Sequence, residues 1–137
     1  MQERPIVIVG PTACGKSAFA LEIARQVHGV ELLSVDSMQV YRRMNIGTAK
    51  PTVEEQREIS HHLIDLVDPS ETFTLVDFQR VHDSVRTEIQ ERDGIPLLVG
   101  GTGLYVRAVV DRLTPPPQFS HIASQLDAEP DTKLLHQ

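Results

Sequence analysis

One stretch near the N-terminus combines the residue types that bind phosphate. It reads Gly10-Pro-Thr-Ala-Cys-Gly15-Lys16-Ser17 and fits the pattern G-x-x-x-x-G-K-[ST]. Its glycines allow backbone torsions that aim successive N–H groups at phosphate oxygens. Lys16 would add a charge at the terminal phosphate, and the Ser17 hydroxyl can be a ligand of Mg²⁺. The motif predicts a phosphate site without telling ATP from another diphosphate.

The flanking residues place this motif between a strand and a helix. Residues 6–9 are apolar and β-branched, as expected of a buried parallel strand. Residues 16–27 indicate a helix, with Phe19, Ile23 and Val27 on its apolar face. The positive N-terminus of that helix would face the same anion.

Further along the chain, short apolar runs alternate with helical patterns. The strand candidates are residues 31–35, 63–67 and 96–99. The helix candidates are a short helix opened by the capping box of residues 52–55, a longer one marked by Leu75, Phe78, Val81, Val85 and Ile89, and one that ends near Val110. This alternation predicts an α/β fold, a parallel sheet with helices on both faces.

Three consecutive prolines, residues 115–117, interrupt the alternation. We expect residues 1–112 to form the phosphate-binding core and residues 113–137 to begin a separate helical insertion. The chain has 137 residues, enough for one domain with its own core.

Composition narrows the class of protein. No run of apolar residues approaches the length of a membrane span, no secretory signal is expected at the N-terminus, and the single cysteine, Cys14, suits a reducing cytoplasm. We interpret Cys14 as a small filler in the loop. The net charge is −6, with an excess of positive charge before residue 51 and of negative charge after it. Any RNA contact should therefore be local, since no broad basic face is expected.

Two aspartates follow apolar runs and could hold Mg²⁺ in a nucleoside triphosphatase: Asp36 and Asp68. The residues after Asp36 are the more specific, Asp36-Ser-Met-Gln-Val-Tyr-Arg-Arg-Met-Asn-Ile-Gly-Thr-Ala-Lys-Pro51. Together with the phosphate loop, with His61-His-Leu-Ile-Asp-Leu-Val-Asp-Pro69 and with Leu98-Val-Gly-Gly-Thr-Gly-Leu-Tyr105, this segment resembles the tRNA dimethylallyltransferase family. The four matches occur in the family's order and cover essentially residues 5–112.

The resemblance implies a P-loop NTPase-like core and a function. The enzyme would transfer a dimethylallyl group from dimethylallyl diphosphate to N6 of the adenosine 3′ of the tRNA anticodon, with Mg²⁺ as cofactor. The residues that it implies for the diphosphate are Gly10, Pro11, Thr12, Ala13, Cys14, Gly15, Lys16 and Ser17. It implies catalytic roles for Asp36, as general base, Lys16 and Ser17, the last also as the Mg²⁺ ligand, and tRNA contacts for Asp36, Ser37, Met38, Gln39 and Thr102. We expect a cytoplasmic monomer that acts on the anticodon stem-loop.

Several of these residues also have plainer interpretations. Asp36 could be the N-cap of a helix begun by residues 37–41, and the Thr102 hydroxyl could bond its own turn. Arg42, Arg43 and Lys50 could contact RNA phosphates or form a solvated face. The pair His61-His62 lacks further ligands at metal-site spacing.

Members of the resembled family are about twice as long, so we expect a truncated chain that keeps the phosphate site with weak or no activity. Three alternatives stay open: an adenylate isopentenyltransferase, a small-molecule P-loop kinase, which the P-loop motif and its ATP-binding association also suit, and a non-catalytic phosphate-binding remnant. The stretch 46–51 favours the tRNA enzymes over the first of these.

Overall fold

Four parallel strands form the sheet at the centre of the protein, seen in a computed structural model that describes residues 5–101, 103–114 and 119–128. The strands are β1 (Ile6–Val9), β2 (Val30–Val35), β3 (His61–His62) and β4 (Ile95–Gly100). The helices are α1 (Lys16–Gln26), α2 (Val53–Glu58), α3 (Leu75–Glu91), α4 (Gly103–Val110) and α5 (Ser120–Asp127). The strand order is β1-β4-β2-β3, and every pairing is parallel. The predicted α/β architecture is confirmed.

Each face of the sheet packs against its own helices, because neighbouring residues of a strand point to opposite faces. Leu32 and Leu97 pack with α1, whereas Leu33 and Leu98 pack with α3 and α4. Phe78 and Ile89 of α3 are fully buried in the second of these clusters, as the helical pattern predicts.

The apolar face predicted for α1 is wrong at two of its three residues. Phe19 and Val27 are exposed, and only Ile23 packs against the core. The buried residues of this helix are Ala20, Leu21 and Ala24. The small side chains of the two alanines let α1 lie close to the sheet.

Helix boundaries follow local capping chemistry. The capping box at Thr52 and Glu55 is confirmed, and a second one, formed by Thr74 and Asp77, opens α3. Each pair satisfies backbone N–H groups that the first helical turn leaves without partners. The helix α5 agrees with the helical element predicted for the last twenty residues, and the boundary predicted at residues 115–117 lies outside the described residues.

The strand predicted over residues 63–67 is also wrong. Strand β3 consists of His61 and His62 alone, and Leu63 and Asp65 have positive φ, of 64° and 52°, which ends the extended conformation. The segment instead bonds to the turn before it, since Leu66 N donates to Val40 O at 2.7 Å. Leu63 is still buried in the core, which explains why the segment is apolar without being a strand.

No helix in the described parts of the chain is both long and apolar enough to cross a membrane.

Gly100 occupies a position with no room for a side chain. A Cβ placed there would lie 2.2 Å from the carbonyl oxygen of Val35 on the neighbouring strand. We therefore expect Gly100→Ala to lower the free energy of unfolding by about 3 kcal/mol, the upper range for overpacking. Urea denaturation measures the loss. Gly103→Ala is the matched control, because a Cβ at that helix start meets no atom within 4 Å. Equal stability of the two variants would show that the sheet can open to admit the methyl group.

His82 is a buried imidazole whose Nε2 has no hydrogen-bond partner among the described residues. Burial lowers the pKa of His82, and the neighbouring Asp83 opposes this only in part. The unfolded chain therefore binds a proton near pH 6.5 that the native protein does not bind. As the pH decreases below about 6.5, the free energy of unfolding should decrease by up to about 1.4 kcal/mol per pH unit.

His82→Gln should flatten this part of the curve of unfolding free energy against pH. The exposed His28→Gln is the control, and it should keep the wild-type slope. An unchanged slope in His82→Gln would refute the assignment.

Candidate phosphate and acceptor site

Three strands end at one edge of the sheet, and their ends frame a cavity of about 620 Å³. Strand β1 leads into the phosphate loop, β2 into Asp36, and β4 into Gly101. In parallel sheets this carboxyl edge is where ligands bind. The cavity is lined by the loop residues Thr12, Ala13, Gly15, Lys16 and Ser17, by Asp36, Met38 and Gln39, and by residues 47–51.

The phosphate loop ends in an uncapped helix N-terminus. Gly15 has φ 85° and serves as the N-cap of α1 with no side-chain cap, and the first turn holds no acidic residue. Amide groups that no side chain uses, together with the helix dipole, make this end of α1 suitable for an anion. Ala13 also has positive φ, 62°, so part of the loop conformation is built without glycine.

The ammonium group of Lys16 lies close to Pro11 and Gly101. Its Nζ donates to the Pro11 carbonyl at 3.1 Å. A Cβ at Gly101 would lie 3.4 Å from that nitrogen and 2.9 Å from Gly10 O. Cys14 is exposed, and its sulfur lies over Gly10, where a Cβ would come within 2.8 Å of it. Glycine at 101 therefore leaves the space that Lys16 occupies.

Asp36 faces the same cavity from the end of β2. Its Oδ1 accepts hydrogen bonds from Met38 N at 2.7 Å and Gln39 N at 3.2 Å, which fixes the orientation of the half-buried carboxylate. The helix considered for residues 37–41 is absent: these residues form a turn. Asp36 thus caps a turn through Oδ1.

Asp68, the other candidate, does not line the cavity. Its carboxylate lies 2.7 Å from Arg43 and 3.6 Å from Arg42. Asp68 therefore neutralises exposed arginines, which leaves Asp36 as the aspartate that faces the loop.

The three basic residues of this segment differ in exposure. Arg42 and Arg43 remain exposed, but both pair with Asp68. The Lys50 side chain is only 4% exposed and pairs with Asp65 at 2.6 Å. The interpretation of Lys50 as a surface contact for RNA is therefore wrong for this conformation.

The residues that the resemblance assigned to tRNA fall into three environments. Met38 is exposed at the cavity, Ser37 is half-buried, and the Gln39 side chain is buried. Thr102 lies outside the described residues. Both Met38 and Gln39 line the cavity, but only the Met38 side chain is exposed enough to contact a ligand directly.

Tyr105 stands near Asp36 and was not singled out from the sequence. Burial, with the charges of Tyr41 and Asp36, raises the pKa of its phenol. Its ring packs on Phe78 with centroids 4.5 Å apart. Tyr105 is therefore a neutral hydroxyl at neutral pH. Its place in the stretch 98–105, matched in the resemblance, was the only sequence signal for it.

The described residues contain no cluster of three or more His, Cys, Asp or Glu that could hold a metal ion. Ser17, exposed at the helix start, fits Mg²⁺ that arrives with a diphosphate, because Mg²⁺ commonly takes most of its ligands from phosphates and water. His62 Nε2 lies 2.6 Å from Glu31 Oε2, and His61 Nδ1 lies 2.8 Å from Ile59 O. Each of these ring nitrogens therefore already contacts a group of the protein.

The fold and the loop define a P-loop α/β protein with a cavity at the carboxyl edge of its sheet. The model of the IPP transferase family matches residues 39–137, a segment that begins after Asp36. The chain belongs to this family.

Relatives and solved structures agree. The chain is 54% identical to a tRNA dimethylallyltransferase of Halalkalibacterium halodurans over 110 residues, which are 80% of this chain and 35% of that protein. It is 43% identical to one of Staphylococcus aureus, with 96% of this chain and 44% of the relative covered. A tRNA isopentenylpyrophosphate transferase from Bacillus halodurans superposes with a TM-score of 0.77 at 44% identity, covering 94% of this chain and 44% of that one. A eukaryotic dimethylallyltransferase that acts on tRNA gives 0.77 at 29% identity, with 95% and 34% covered. The chain thus spans less than half the length of these relatives.

Lys16→Met removes the ammonium group and keeps the aliphatic stem. A hydrogen bond to a charged group is worth about 1.5–3 kcal/mol, so we expect the affinity for inorganic pyrophosphate to fall roughly 10- to 100-fold in calorimetric titration. The exposed Arg107→Met, which removes a charge away from the cavity, should bind as the wild type does. Unchanged affinity in Lys16→Met would show that Lys16 does not contribute to pyrophosphate binding.

Proposed function

We propose that this chain carries the catalytic core of a tRNA dimethylallyltransferase. The activity is the one named for the relatives that it matches. The observation that carries the proposal is that Lys16 and Asp36 line one cavity. A cation for the diphosphate and a carboxylate for the acceptor amine therefore belong to the same site. The cytoplasm and a monomeric state suit this role, as the single cysteine does.

The donor's diphosphate would bind the amides at the start of α1. As the bond between its allylic carbon and the diphosphate oxygen breaks, negative charge accumulates on the leaving pyrophosphate. Lys16 and the amides stabilise that charge in place, which is the form of catalysis that preorganised donors provide. Mg²⁺ bound through the phosphates and Ser17 would add further charge stabilisation.

Asp36 would serve the acceptor. An adenine amine is a weak nucleophile because its lone pair is delocalised into the ring, so positive charge develops on nitrogen as the new bond to carbon forms. The carboxylate of Asp36 takes the proton from that nitrogen, and pyrophosphate leaves with the electron pair of the broken bond. No covalent enzyme intermediate is needed. The Asp36 turn holds the base rigid, and the target nucleotide must leave the anticodon-loop stack to reach it.

The acceptor class distinguishes this proposal from its nearest alternative. The chain is incubated with a radiolabelled dimethylallyl diphosphate and either an anticodon stem-loop RNA or AMP. We expect label on the RNA, at a low rate because the chain spans less than half the length of its relatives. Label on AMP alone would show an adenylate isopentenyltransferase, and transfer of the γ-phosphate of ATP without affinity for the prenyl donor would show a kinase.

Asp36→Asn tests the base. Asparagine can still accept the two N–H groups of the turn, so the site should fold, but it cannot take a proton. We expect the rate of prenyl transfer to fall about 10²- to 10⁴-fold, with the affinity for the donor unchanged.

The control is Asp68→Asn, the same chemical change at an aspartate outside the cavity. It should retain wild-type transfer. An active Asp36→Asn would eliminate Asp36 as the base, and failure of the unmodified chain to bind the donor would contradict the whole proposal.

A further inference from the structure

Residues 47–51 form one wall of the cavity that the phosphate loop also lines. Two of them have backbone conformations of the left-handed region, Gly47 with φ 74° and Ala49 with φ 50°. Ala49 carries a Cβ, so this conformation is unfavourable by itself and persists only where surrounding contacts hold it. The wall therefore depends on whatever fixes it to the sheet.

Gln39 makes that connection. Its side-chain Nε2 donates to Thr48 O at 2.9 Å and to Ala49 O at 3.1 Å. Its Oε1 accepts from the hydroxyl of Ser34, a residue of β2, at 2.7 Å. Gln39 is only 9% exposed, and breaking these bonds would leave buried polar groups without partners.

The same residue belongs to the turn that orients the proposed base. Gln39 N donates to Asp36 Oδ1 at 3.2 Å, and Gln39 O accepts from Asp65 N at 3.0 Å. A displacement of Gln39 would therefore move the cavity wall and the carboxylate together.

Lys50 secures the far end of the wall. Its buried Nζ donates to Tyr41 O, to Asp65 Oδ1 at 2.6 Å and to Asn45 Oδ1 at 3.2 Å. Asp65 thus joins both connections, since its N–H bonds to Gln39 and its carboxylate to Lys50.

We propose that Gln39 is a positioning residue that holds the wall of the diphosphate cavity and the Asp36 carboxylate in one fixed arrangement. The inference rests on the proposed function for what the cavity binds. It assigns the Gln39 side chain an internal role in place of the tRNA contact that the resemblance implied. Both ends of its side-chain amide are already bonded within the protein, so the side chain acts on residues 48–49, while the backbone N–H of Gln39 bonds Asp36.

Two substitutions separate the contacts of the amide. Gln39→Leu removes all of them at similar volume. Gln39→Glu keeps an acceptor for Ser34 but places an oxygen against the carbonyls of Thr48 and Ala49, so it should release the wall alone. The controls are Arg43→Gln, an exposed residue of the same segment, and Ile89→Val, a conservative change in the opposite core cluster that lowers stability without touching the cavity.

Backbone NMR relaxation and pyrophosphate titration of the whole chain are the two measurements. In both Gln39 variants we expect lower order parameters at residues 48–50 and about tenfold weaker pyrophosphate binding, the loss of one or two neutral hydrogen bonds. A lower order parameter at Met38, whose N–H bonds Asp36, should accompany it in Gln39→Leu. Neither control should show these changes.

Three outcomes would overturn the inference. Unchanged order parameters at residues 48–50 would show that Gln39 does not hold the wall. Lower order parameters with unaltered pyrophosphate affinity would show that the wall does not position the ligand. Equal losses of affinity in Ile89→Val would reduce the effect to global stability. If the wild type fails to bind pyrophosphate, the proposed function fails with the inference, while the relaxation result still reports whether the wall is held.

Discussion

The close approach of β2 and β4 at Gly100 is the constraint on which the site depends. In the parallel register Gly100 lies opposite both Val9 of β1 and Val35 of β2. The three strands therefore end at one level, and the residues that follow them emerge side by side. Because no side chain fits between Gly100 and the Val35 carbonyl, any shift that widened this junction would also separate the phosphate loop from Asp36.

The two sides of this junction carry opposite charges, at the phosphate loop and at Asp36. In the proposed reaction the start of α1 and Lys16 would supply fixed positive charge for the leaving diphosphate, whereas the Asp36 carboxylate would accept a proton. The net charge of the chain, −6, is compatible with this arrangement, because the proposed phosphate site needs only Lys16 and the N-terminus of α1 and no broad basic surface. The basic residues nearby do not enlarge it: Arg42 and Arg43 are paired with Asp68, and Lys50 is internal.

Local sequence signals predicted most of the fold. Short apolar runs marked β1, β2 and β4, although β1 is an edge strand of this sheet and its Ile6 and Val9 are exposed, against the prediction that residues 6–9 are buried. Capping boxes occupy four consecutive residues, and the phosphate loop has its own spacing. Each of these signals depends on near neighbours in the chain. The failures have the opposite character. Residues 63–67 are apolar because they pack under the turn at Val40, and α1 buries alanines because the sheet lies close to it. Both are set by tertiary packing, which periodicity does not encode.

The same distinction between local and tertiary signals applies to the candidate site. The phosphate loop and Asp36 were found from the sequence, through the motif and through the resemblance. The bonds from Gln39 to residues 48–49 join partners nine and ten positions apart, and no residue pattern marks such a contact. An amide or a lysine in a polar segment suggests solvent or ligand contact, and only the structure shows that these two face inward.

The most direct measurement of the central claim is a crystal structure of the chain with a sulfur-bridged, unreactive analogue of dimethylallyl diphosphate. The account predicts the diphosphate on the amides at the start of α1 beside Lys16, with the allylic carbon toward the Asp36 carboxylate. A diphosphate bound elsewhere, or an allylic carbon turned away from Asp36 with no path for an acceptor amine between them, would contradict it.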